Sequence, residues 1–291
     1  MRTEFHVFVN VADIEPARLR EVVAQSDVVP EKITKPDKVL GVYSVTIADD
    51  LLGAERLRDL LRRKGVESFL RQERLLSDDE ILAAPLLALR VEREHGFGGP
   101  TYGTEFSLDD ACQRCGTGAH PVGDVILNAS EVPRRGDVFQ TLGGETFVSD
   151  RLREELARAG FTGAEFHDAY SESKRERLPW SQLVAPHALP PADPETSGGL
   201  RRENPCPDCD RDGYFGTAKS PFELRYPLSR SEADDLPDFS STWEHFGLSK
   251  LAEPFEDSAF AQPILVVKPR VAELLMGSKV RGLLFDPVEI D

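Results

Sequence analysis

The residues best equipped for chemistry are four cysteines, arranged as two pairs, Cys112-Gln-Arg-Cys115 and Cys206-Pro-Asp-Cys209, with no other cysteine in the chain. A CxxC turn brings two sulfurs to neighbouring corners of a tetrahedron, and thiolate is the ligand that Zn²⁺ takes in closed structural sites. Two such turns supply a complete set of four thiolates. With every corner taken by sulfur no position is left for water, so the predicted role of the ion is structural and not hydrolytic. Residues 116–205 separate the pairs, a longer spacer than the ~15–20 residues of a compact ribbon. The ion would therefore clamp a Gly-rich loop to a distant Pro-rich one. Two other readings stay open: a redox pair or reversible disulfide, and metal-free thiols. A redox CxxC belongs at a helix start after a strand, whereas both pairs here are set among Gly and Pro. His120, five positions after Cys115, is an alternative ligand.

No catalytic motif accompanies the cysteines. Gly96-Phe97-Gly98-Gly99-Pro100-Thr101 lacks the third glycine of a dinucleotide loop, and P-loop, HExxH and GxSxG patterns are missing. The six histidines are scattered singly, and a lone histidine is usually an ordinary surface or core residue. The sequence nominates no enzyme.

The 291 residues carry 35 Lys+Arg against 51 Asp+Glu, a net charge of −16. That balance argues against a general nucleic-acid or anionic-membrane binder, which needs a basic surface, and favours a basic protein partner. A hydrophobic content of 40% supplies a real core. The start MRTEFHVFVNVADIE lacks the basic and apolar regions of a signal peptide, and no apolar run approaches the ~20 residues of a membrane span, so a cytoplasmic protein is expected.

The elements that must position the cysteines fall in two parts. Over residues 1–104, strands are predicted at 5–9, 39–47 and 66–71, with helices from Pro16 and over 54–64, and a short helix capped by Ser77 and ended near Pro85. This reads as an N-terminal α/β layer domain, helices on one face of a sheet. Residues 94–123 are Gly-rich loop. Within 105–291 the segment 147–169 aligns without gaps on 266–288, a shift of 119 positions. Val148/Val267, Arg151/Arg270, Glu154/Glu273, Leu156/Leu275, Gly163/Gly282 and Phe166/Phe285 coincide. Each copy reads as strand, helix, Gly-containing turn, strand. The expected fold class is thus α+β: an N-terminal α/β layer domain, then a zinc-clamped module, held by all four cysteines, with two strand–helix–strand repeats. Between the copies, seven prolines over 179–207 predict a long, partly mobile loop. Phe222, Leu224 and Tyr226 then alternate like a strand.

Residues 231–262 hold eight acids and one lysine, interleaved with Phe239, Trp243, Phe246, Phe255 and Phe260. One reading makes Phe239, Trp243 and Phe246 the inner face of a helix. The other makes Asp234, Asp235, Asp238 and Glu244, with Trp243 as aromatic anchor, a docking surface for a basic partner.

The paired motifs CQRCG (112–116) and CPDCD (206–210), the DFSSTWEHFG run (238–247) and the closing PILVVKPRVAELLMGSKVRGLLFDPV (263–288) together resemble the double-CXXCG motif immunity proteins of bacterial polymorphic-toxin systems. The likeness covers mainly residues 105–291. It implies a cytoplasmic, antitoxin-like binder that neutralises a toxin and has no catalytic residues; only Cys112, Cys115, Cys206 and Cys209 carry over by motif. Asp210 stands where the pattern has glycine, the residue that relieves the turn around such a knuckle. The competing class is a zinc-ribbon scaffold or nucleic-acid-processing factor.

Overall fold

A computed structural model describes residues 2–34, 41–92, 94–195, 197–216, 219–220 and 223–291. The architecture is mixed α+β, dominated by sheet. The chain divides into two units, Met1–Asp79 with Gly216–Pro221, and Glu80–Phe215 with Phe222–Asp291. Residues 80–104, grouped with the N-terminal elements in the sequence reading, therefore belong to the second unit.

In the first unit β1 (Arg2–Asn10), α1 (Pro16–Gln25), β2 (Lys32–Ile33), β3 (Val42–Ala48), α2 (Leu51–Arg63) and β4 (Ser68–Leu75) form an antiparallel sheet ordered β4-β1-β3-β2. This is the split βαβ arrangement of ferredoxin-like layers. Pro16 opens α1 at a first-turn position, where its missing N–H costs nothing. The Asp50 carboxylate caps α2 by accepting from the Gly53 N–H at 2.8 Å. Alternation along β1 sends Phe5, Val7 and Val9 inward against Leu19, Val22, Leu57 and Leu61 of the helices. Residues 39–40 of the strand expected at 39–47 lie outside the described residues.

The second unit begins with α3 (Asp78–Ala83) and β5 (Leu86–Val91). Short β6 (Phe106–Ser107) and β7 (His120–Pro121) pair around the first cysteine loop. Next come β8 (Val125–Leu127), β9 (Val138–Gln140), β10 (Thr146–Ser149), α4 (Asp150–Arg158), β11 (Glu165–Ser171) and β12 (Arg177–Val184), forming a sheet ordered β9-β10-β12-β11-β8. The strands β13 (Leu200–Arg202) and β14 (Tyr214–Gly216) flank the second cysteine loop; β15 (Lys219–Ser220) belongs to the first unit and extends its sheet, parallel to β4. The last elements are β16 (Arg225–Tyr226), α5 (Arg230–Asp235), β17 (Phe239–Phe246), β18 (Gln262–Val267), α6 (Pro269–Gly277) and β19 (Leu283–Ile290). They complete a seven-stranded sheet ordered β13-β14-β17-β18-β5-β19-β16.

Two expectations are corrected here. The start of the segment read as a loop over 179–207 is instead the end of β12, an inner strand; Pro179 falls within the register irregularity between β11 and β12, where a missing N–H leaves no gap in the ladder. Phe239, Trp243 and Phe246 lie on a strand, β17, and not on a helix. An irregularity between Ser241 and His245 breaks strict alternation there, which produces the helix-like 4- and 3-residue spacing. Of the alternating Phe222, Leu224 and Tyr226, the first lies outside the described residues and the other two are buried.

Segments 147–169 and 266–288 each span strand, helix and strand. Their surroundings match in pairing as well. The series β9-β10-β12-β11-β8 corresponds strand for strand to β17-β18-β5-β19-β16, with the final pair parallel in both and the others antiparallel. Registers agree residue by residue: Phe147 faces Phe139 and Gln182 as Val266 faces Ser240 and Ala88, and Phe166 faces Leu183 as Phe285 faces Leu89. The central strand follows its unit in one array and precedes it in the other. Both helices enter one core, Leu152 and Leu156 beside Val271, Leu275, Phe239 and Leu89. Each turn after the helix holds two left-handed residues, Gly160 and Gly163 at φ 68° and 81°, Lys279 and Gly282 at φ 56° and 83°. Among the described residues no helix is long and apolar enough to cross a membrane.

A Cβ on Gly163 would lie 2.3 Å from the Phe239 carbonyl oxygen and 2.6 Å from Pro237 Cβ. Gly163→Ala adds this clash to left-handed strain and is expected to cost about 2–4 kcal/mol in urea unfolding, against about 1 kcal/mol for Gly160→Ala, where the space is open.

Candidate metal centre

Each cysteine pair sits in a loop closed by a short ladder. β6 and β7 bracket Cys112 and Cys115, and β13 and β14 bracket Cys206 and Cys209. The two loops fold alike. The Gly116 N–H donates to the Cys112 carbonyl at 2.8 Å, and the Asp210 N–H donates to the Cys206 carbonyl at 2.9 Å. The residue after each pair is left-handed, Gly116 at φ 82° and Asp210 at φ 57°. Aspartate is among the non-glycine residues that tolerate this region, so the departure from glycine leaves the turn intact. Arg202 holds it in place, its guanidinium 2.6 Å from Asp210 Oδ1.

The four sulfurs converge, all within 4.8 Å of one another. Sγ of Cys112 lies 3.9 Å from that of Cys206, and Sγ of Cys115 lies 3.7 Å from that of Cys209. These spacings are too long for disulfides and match the ~3.8 Å edge of a tetrahedron with ~2.3 Å metal–sulfur bonds. The donor set and its geometry are therefore compatible with Zn²⁺. His120 is exposed on β7 and is not part of the cluster.

Backbone amides point at the sulfurs. The Thr117 N–H reaches Cys115 Sγ at 3.5 Å and its hydroxyl lies 3.0 Å from the same atom. Burial raises the Cys112 thiol, but the Cys115 and Arg114 N–H groups outweigh it and bring the thiol down to about 7. Burial dominates at Cys115, pushed up to about 12 despite Thr117, and raises Cys209 too. Thiolate is the ligating form, so a cation at the centre would displace thiol protons and be bound more tightly at higher pH.

Three supports were not evident in the sequence. Asp212 is buried; its carboxylate accepts the Cys206 N–H at 2.7 Å and the Ser249 N–H at 3.1 Å, tying the second loop to the chain after β17. Thr117 braces the first loop. Phe260 packs so closely on Gly116 that a Cβ there would lie 2.5 Å from its ring. Only the CxxC spacing had a local signature.

The docking set expected from the sequence is divided. Asp234 and Asp235 are exposed at the end of α5. Asp238 is 2% and Glu244 1% exposed, so neither can meet a partner. Asp238 pairs through both carboxylate oxygens with Arg270 and accepts the Thr162 N–H and hydroxyl. Burial pushes its carboxyl up, and these partners outweigh that and hold it below the usual range. Glu244 accepts the Tyr226 hydroxyl at 3.0 Å and the Ala192 N–H at 2.7 Å. Trp243 is half-buried with the Arg211 guanidinium 5.8 Å over its ring. In the matched array Arg151 bonds Asp137 as Arg270 bonds Asp238, which explains two arginines at corresponding positions as structural.

Compared with known proteins, the chain matches no protein-family model and no curated protein sequence.

Arg270→Ala strands the buried Asp238 carboxylate without its cation and is expected to cost about 3 kcal/mol in chemical unfolding, whereas Asp234→Asn and Asp235→Asn should stay within about 0.5 kcal/mol.

Proposed function

We propose that this protein is a non-catalytic, antitoxin-like immunity protein that binds and neutralises a basic partner toxin in the cytoplasm, with a structural Zn²⁺ held by Cys112, Cys115, Cys206 and Cys209. The observation that carries the reading is the closed all-sulfur centre joining two loops with little secondary structure of their own, in a chain of net charge −16. An ion ligated by four thiolates has no open coordination position, which suits it to holding a surface in shape and not to turning over a substrate. Strong acidity suits capture of a basic toxin, because complementary charge accelerates encounter. The resemblance of the two CxxC motifs to the double-CXXCG immunity proteins points the same way. Asp234 and Asp235 remain in this reading as steering charges.

The matched registers of the two arrays further suggest an internal duplication whose two copies share one core. On this account the duplicated module is the scaffold, and the metal knuckles with the acidic–aromatic segment are the working surface.

Two measurements test the reading. Protein purified without chelator should hold about one zinc per chain, and Cys206→Ser should lose it and melt at lower temperature; less than about half an equivalent in the wild type would count against the centre. Where the coding sequence beside this one specifies a basic secreted protein, expressing that protein alone should arrest a host, and adding this chain should restore growth through a stoichiometric complex. Arrest without rescue, and without a complex on size exclusion, would refute neutralisation.

A further inference from the structure

A cavity of about 520 Å³ opens in the second unit, beside the metal knuckle. Its walls include Tyr102, Phe106, Phe246 and Phe260, the last being the ring seated on Gly116. At its edge Phe97, Leu142 and Leu248 stay 52%, 53% and 47% exposed, three large apolar side chains gathered at one opening. Scattered apolar residues on a surface need no explanation, but a cluster rimming a cleft marks an interaction site.

Glu145 supplies the charge in this apolar setting. It is half-buried, and its carboxylate takes a hydrogen bond from the Thr141 hydroxyl. Among the described residues it has no ion-pair partner, whereas Asp137, Asp238 and Asp286 are each paired with arginine. Burial raises its carboxyl to about 7. Glycines keep the approach clear: a Cβ on Gly143 would lie 2.8 Å from Glu145 Oε2, and one on Gly98 would lie 3.6 Å from Oε1. An uncompensated carboxylate among aromatic faces fits a cation with an apolar stem, since ring faces and carboxylate both attract it. Among such cations, a planar guanidinium can stack on the rings and pair with the carboxylate in one pose.

We propose that this cleft is the anchor socket for the basic partner, receiving one arginine side chain that projects from the partner's surface onto Glu145. The exposed apolar rim argues for an arginine carried on a protein surface over a free small cation, because the rim extends the contact beyond the side chain. The socket rests on the partner-binding reading above and names the group that the partner inserts.

The test uses the full chain, labelled with ¹⁵N, and the probe Nα-acetyl-arginine methylamide, with the citrulline and norleucine counterparts as uncharged controls. The arginine probe should shift the amides of Gly98, Gly143 and Gly247 saturably, and Glu145→Gln should weaken binding by at least about fivefold. The spectrum outside the cleft reports that the variant is folded. A response to citrulline or norleucine equal to that of arginine, undiminished binding by Glu145→Gln, or shifts confined to other surfaces would overturn the socket; a lysine probe binding more tightly would overturn the assignment of arginine. Rescue of growth with no probe binding would remove the socket and leave neutralisation standing, while probe binding without rescue would do the reverse.

Discussion

Four thiols that lie far apart in the chain must meet at one point, and much of the second unit's irregular chain is arranged to make them do so. Neither cysteine loop has a helix or long strand to hold it; each depends on a two- or three-residue ladder at its base, a left-handed residue after the pair, and amides aimed at sulfur. Sulfur spacings near the edge of a metal-centred tetrahedron give this arrangement its physical sense. An ion there would contribute folding free energy directly, because the unfolded chain has no preformed site. Asp212 and Phe260 extend the constraint outward, one by bonding the second loop to the chain after β17, the other by packing its ring on the first.

Beneath that centre lies a regular scaffold. The two matched arrays bury their helices in a common core, and each carries an arginine–aspartate pair beside the start of its helix. Leucine and valine burial contributes on the order of 1.5–3 kcal/mol for each side chain, so this core is the main favourable term for the unit. The pairs act differently: Asp238 is almost wholly enclosed, and its ion pair counts because separating the partners would strand a charge. A rigid scaffold with chemistry confined to its loops is a common arrangement in binding proteins.

Some of this was legible in the sequence because the signals are local. CxxC spacing fixes two sulfurs within one turn, amphipathic periodicity gives α4 and α6, and alternation gives β1. What stayed hidden depends on distant chain. The central strand of each array comes from outside the aligned segments, so a sliding comparison could not find β5 and β12 as equivalents. β17 carries aromatic residues at helical spacing because its pairing is irregular, and Pro179 disguises a strand. Asp238 and Glu244 read as surface acids because composition does not reveal burial. Asp210 adopts the conformation expected of glycine, which a motif pattern cannot foresee. Glu145 has no motif at all, and its setting arises only when distant chain, Gly98 beside it and Phe246 and Phe260 among the other walls, closes the same cleft.

The central claim is that one metal ion joins the two cysteine pairs, and X-ray absorption at the zinc edge of the purified protein examines it most directly. The account predicts a first shell of four sulfurs at ~2.3 Å with no light-atom ligand. A shell containing nitrogen or oxygen, or protein whose cysteines are joined as disulfides with no metal bound, would contradict it.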